Sequence, residues 1–87
     1  MELRDIISRI EAASGIFELS RVTQYRGYLE GVGEIEVTVT DRGEGHQYRH
    51  SVSARTLDLP VERLAQGNPE RELETAIAVV HWDALQR

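Results

Sequence analysis

Apolar side chains at Leu3, Ile6, Ile7, Ile10 and Ala13 recur at the spacing of one helical stripe, and Gly15 follows where a left-handed cap would close it. The pattern predicts an amphipathic helix over 2–14, with Arg4, Asp5, Ser8, Arg9 and Glu11 on its wet side. Beyond a connector at 16–20 the period changes from 3.6 to two. Strand-like runs are predicted at 22–29, 33–41 and 46–55, separated by Glu30-Gly31-Val32 and Arg42-Gly43-Glu44-Gly45. Their short, Gly-bearing connections argue for an antiparallel meander. Ile35, Val37 and Val39 must share one face, with Glu34, Glu36, Thr38 and Thr40 on the other. A three-residue loop at 30–32 pairs Leu29 with Gly33 and Tyr25 with Val37, while a four-residue loop at 42–45 pairs Val39 with Tyr48 and Ile35 with Val52. The outer face then carries Gln24, Arg26, Tyr28, Glu36, Arg49 and Ser53, with Arg26 opposite Glu36.

Leu57, Leu59, Val61 and Leu64 surround Pro60, and a connector with a short helix over 60–66 is expected, ending at Gly67. Asn68 can cap and Pro69 can open a last helix over 69–85, with Glu70 and Glu72 at the positive end of its dipole. On a helical wheel Leu73, Ala76, Ile77, Val80 and Ala84 form one apolar face. Ala78, Trp82 and Leu85 form a second, nearly opposite one. The order predicts one domain over 1–87, a two-layer α+β fold with a three-stranded antiparallel meander and both helices on its apolar face. The second apolar face must be covered either by Leu57, Leu59, Val61 and Leu64 or by another chain. It is the candidate interaction surface, for a protein partner or a homodimer, because Trp is enriched at interface hot spots.

This order of elements, most of the chain, resembles the layout of double-stranded-RNA-binding domains. Members of that family clasp phosphates with a Lys-rich cluster at the start of the last helix. Asn68-Pro69-Glu70-Arg71-Glu72 stands there instead, and its two carboxylates would repel phosphate. A second resemblance covers about half the chain. Asp58-Leu59-Pro60, then Gly67-Asn68-Pro69-Glu70 and a helix with Leu73, Ala76 and Val80, is similar to the end of HicB-type antitoxins. Those proteins usually have Gly-Cys after the proline, where this chain has Val61-Glu62. The alternative implied is a nucleic-acid-binding or toxin–antitoxin component acting through Arg26, Arg49 and Arg55 on the exposed sheet face.

Composition narrows these readings. All ten basic residues among the 87 are Arg, they are scattered among 15 acids, and the net charge is −5, so the chain has no basic footprint and nucleic acid is a poor partner. The absence of cysteine excludes disulfides and thiolate zinc sites, which leaves stability to packing or to packing plus a partner subunit. No apolar run reaches the roughly 20 residues of a membrane span and the start is charged, so a soluble, cytoplasmic protein without a membrane role is expected. His46 and His50 would lie about 13 Å apart along one strand, too far to share a metal. His81 at a helix end is explained by the dipole. No nucleophile and base can be placed within reach of each other, so neither an enzyme nor a cofactor site is expected.

Overall fold

Strict alternation in the middle of the chain produces an open antiparallel sheet, and the structure, a computed structural model, describes residues 2–86. Met1 and Arg87, the ends of the expected domain, lie outside the described residues. The strands β1 (Arg21–Leu29), β2 (Gly33–Asp41), β3 (His50–Thr56) and β4 (Leu64–Gln66) stand side by side in chain order. β1 and β2 pair in the expected register, Leu29 with Gly33 and Tyr25 with Val37. Gly31 makes this possible by taking φ 81° inside the loop, where the Val32 N–H bonds the Leu29 carbonyl at 3.0 Å.

β3 is displaced by four residues from the expected register: Val39 pairs with Val52 rather than Tyr48, and Ile35 with Thr56 rather than Val52. The four-residue loop is in fact the longer segment 42–49. The Arg42 N–H bonds the Arg49 carbonyl at 2.9 Å, and the Asp41 carboxylate accepts the Gly43 N–H at 2.9 Å. An even displacement leaves the faces unchanged, so Ile35, Val37, Val39, Val52 and Ala54 still share a side.

The expected short helix at 60–66 is replaced by β4. Ala65 pairs with Ala54, and Thr56 binds Arg63 twice: its N–H donates to the Arg63 carbonyl at 3.1 Å and its hydroxyl oxygen accepts the Arg63 N–H at 2.9 Å. The meander therefore has a fourth strand.

The expected long helix over 69–85 is also corrected. It is a helix α2 of six residues (Leu73–Ala78) followed by a 3-10 helix (Trp82–Gln86). Extended backbone at Glu70 exchanges two 2.8 Å hydrogen bonds with His50, which holds 68–72 beside β3 and delays the helix start to Leu73, with Glu72 as its N-cap. At the other end the His81 N–H bonds the Gln66 carbonyl at 3.1 Å. Gly67 lets that approach happen, since a Cβ there would lie 3.0 Å from the Val79 and Val80 backbone.

Helix α1 (Leu3–Ser14) forms as its stripe predicts and is closed by Gly15 at φ 76°, whose N–H bonds the Glu11 carbonyl at 2.9 Å. It does not join the other helix on the sheet. None of its residues is buried, and its neighbours are in the 42–49 loop, through Arg4 to Glu44 at 3.4 Å and Ile7 beside Gly43. α2 and the 3-10 helix occupy the sheet over β3 and β4.

The core is consequently small and off-centre: Ile35, Val52, Ala54, Ala65, Ala76, Val80 and Leu85. Three of these seven are alanines, which bring α2 close to the sheet but bury little area. The radius of gyration is 15.1 Å, against about 12 Å for a compact chain of this length. Stability should follow this asymmetry. Leu85→Ala, at a site 4% exposed, is expected to cost about 2–5 kcal/mol in urea unfolding. Ile10→Ala, at a site 42% exposed, should change stability by less than about 1 kcal/mol. Equal costs would contradict a core that excludes α1.

Candidate interaction surface

The second apolar stripe of the last segment is split by the break at 79–81. Ala78 is exposed at the end of α2, Leu85 is buried in the core, and Trp82 is 37% exposed between them. The indole is fixed by its own backbone, because Trp82 Nε1 donates at 3.0 Å to the Ile77 carbonyl in the last turn of α2, which also accepts the Val80 N–H at 3.4 Å. Trp82 faces β1 and β2 rather than the 57–64 connector. With Tyr25, Tyr28, Leu29, Val37 and Leu85 it lines an open, predominantly apolar groove of about 320 Å³. The connector's Val61 stays 76% exposed elsewhere.

Tyr25, Tyr28, Leu29 and Val37 are the members of this surface that the sequence pattern did not bring out. Tyr25 and Val37 lie on the apolar side of the sheet as alternation requires, but the signal that nothing covers them is the shortness of α2. Only the bridge at Glu70 reveals that. β1 is the most exposed strand, with Val22, Tyr25 and Tyr28 at 57%, 58% and 83%.

The opposite face of the sheet is a charge ladder. Arg26, Glu36 and Arg55 are direct neighbours across β1, β2 and β3. Glu36 Oε1 accepts from Arg55 Nε at 3.0 Å and Oε2 from Arg26 Nη2 at 3.3 Å, with Gln24 at 3.4 Å. The Glu36 side chain is only 5% exposed, and the hydrogen bond from Arg55 is the leading reason its carboxyl titrates below the ordinary glutamate range, with Arg26 adding to it. Arg49 is off this ladder. It grips Asp41 with two hydrogen bonds of 2.7 and 3.1 Å, and that bond chiefly holds the Asp41 carboxyl down and raises the guanidinium. Each of Arg26, Arg49 and Arg55 is thus already paired with a carboxylate, which leaves little net positive charge for phosphate.

A second, polar concavity of about 440 Å³ lies at the other end of β3, where Glu44, His46, Arg49, His50, Arg71 and Glu72 converge. His46 is exposed and His50 half-buried, with its Nδ1 enclosed and without a hydrogen-bond partner among the described residues. His81 is exposed outside this concavity. Among the described residues no group of three or more His, Asp or Glu is arranged to hold a metal ion, and no helix is long and apolar enough to cross a membrane. No family model, curated protein or solved structure matches this chain.

The charge ladder sets a pH dependence. Because the folded-state pKa of Glu36 is depressed, its contribution is present at neutral pH and is lost as the pH falls below the ordinary carboxylate range and through the folded value. Glu36→Gln should therefore lower stability at pH 7, and the gap to the wild type in urea midpoint should shrink steadily on acidification. A gap independent of pH would assign the loss to packing rather than charge.

Proposed function

We propose that this chain is a small non-enzymatic protein–protein interaction module that works through the Trp82 groove and the uncovered side of the sheet around it. The observation that supports this reading is the groove itself: the Trp82 indole, Tyr25 and aliphatic side chains from three elements converge on an open apolar surface, with Tyr28 at its margin. Aromatic side chains of this kind dominate binding energy at protein interfaces, where they lose little conformational entropy.

The amount of exposed surface points the same way. A compact chain of 9.9 kDa has about 5,200 Å² of accessible surface, and this one has 6292 Å². The excess of roughly 1,100 Å² is comparable to what one partner contributes to a standard interface. Part of it belongs to α1, but the edge of β1 and the groove share in it.

Trp82→Arg tests the reading. Light scattering and native mass spectrometry of the wild type at high micromolar concentration should report a mass above one chain, or a protein retained from its own cells. The variant should bind at least about 30-fold more weakly, the loss expected on removing a hot-spot anchor, with an unchanged far-ultraviolet spectrum. A wild type that is monomeric and retains no other protein would sink the proposal.

A further inference from the structure

We infer that the partner for the open side of the sheet is a second copy of the chain, joined antiparallel along β1 with a twofold axis at Tyr25. This rests on the interaction-module reading and specifies its partner and geometry. β1 is the edge of the sheet, with no strand beyond it among the described residues. It runs nine residues in unbroken register with β2, without proline or bulge. Edges of this length are normally protected by such interruptions, because their free backbone groups are a template for another strand.

The direction of those groups follows from the hydrogen bonds. Arg42 N–H to the Arg49 carbonyl and Leu57 N–H to the Glu34 carbonyl, both 2.9 Å, turn the even-numbered residues of β2 toward β3. Its odd-numbered residues therefore bond β1, whose partners for them are Arg21, Thr23, Tyr25, Gly27 and Leu29. The N–H and C=O groups of Val22, Gln24, Arg26 and Tyr28 are left pointing away from the sheet.

Only one twofold register satisfies all four of these residues with one another. It sets Val22 opposite Tyr28 of the second copy, and Gln24 opposite Arg26 of the second copy. Exposed apolar side chains then meet apolar ones, and each guanidinium meets an amide. Tyr25 falls on the axis in a non-hydrogen-bonded pair, where cross-strand side chains approach most closely. Slipping by two residues in one direction sets Arg26 against Arg26, which is repulsive. Slipping in the other direction sets Val22 against Arg26 and moves Tyr28 beyond the end of the partner strand. In the favoured register both Trp82 grooves lie on the same face of a continuous eight-stranded sheet, one on each side of the axis.

The chain's lack of cysteine makes the register directly measurable. Two Tyr25→Cys chains would bring their Cα atoms to about 4.5 Å, within disulfide range, whereas 23 and 24 would each lie well away from their own copies. Under mild oxidation Tyr25→Cys should form covalent dimers roughly tenfold faster or more than Thr23→Cys or Gln24→Cys. Val22→Lys/Tyr28→Lys, which touches no core residue, should be monomeric by light scattering with its spectrum unchanged. A dimeric wild type without preference for cross-linking at 25 overturns this geometry and leaves the interaction reading standing. A monomer that retains a different protein overturns the second copy as partner, and a monomer that retains nothing overturns both.

Discussion

Two backbone hydrogen bonds between His50 and Glu70 constrain more of this molecule than any side-chain contact. Residues 68–72 have the composition of a helix start, with Asn68 to cap, Pro69 for the first turn and acids beyond. Once Glu70 is paired with β3 in extended conformation it cannot lie inside a helix, and its carbonyl is no longer free to accept the N–H four residues on. The helix shortens to Leu73–Ala78, and the bond from His81 to Gln66 ends it just as firmly. A six-residue helix can cover two strands of a four-stranded sheet. β3 and β4 receive that cover, while β1 and the near side of β2 do not.

The two faces of the sheet meet different demands at the same place. On the apolar side, small residues on β3, β4 and α2 permit close approach: Ala54, Ala65 and Ala76 are all nearly or completely buried. Close packing is gained there at the expense of total apolar area, which is why the molecule retains so much accessible surface. On the polar side, Glu36 sits at the centre of the sheet with almost no solvent, an arrangement tolerable only because two arginines and an amide satisfy its carboxylate from either side. The ladder ties β1 to β3 through β2 and resists fraying of the edge strand. It therefore helps keep β1 straight and its outer backbone groups aligned.

What the sequence could and could not reveal follows from the same physics. The β1–β2 register was legible because a loop carrying Gly31 and strict alternation on both strands leave one solution. The β2–β3 register was not, because a displacement of four residues keeps every side chain on its own face. Alternation is blind to an even slip, and Gly43 and Gly45 suit a long loop as well as a short one. β4 is three residues long, too short to show any period. The last helix misled most, since Pro69 is at home both at a helix start and in the extended segment it occupies. The groove inherited that difficulty: Trp82 was recognisable as a surface residue in need of cover, but Tyr25 and Tyr28 became its neighbours only through the shortening of α2.

The Trp82 indole is held before any partner arrives. An exposed aromatic ring that rotates freely loses entropy when it is bound, and much of its contact energy is offset. Trp82 has already lost that freedom, because its indole N–H is bonded to the Ile77 carbonyl in the last turn of α2. The bond holds in place the ring that lines the groove. The backbone that carries Tyr25 is fixed by the pairing of β1 along its whole length. A surface assembled from side chains whose backbones are held in this way is preorganised for a partner. The short helix that leaves the sheet uncovered is also the element that fixes the indole facing it.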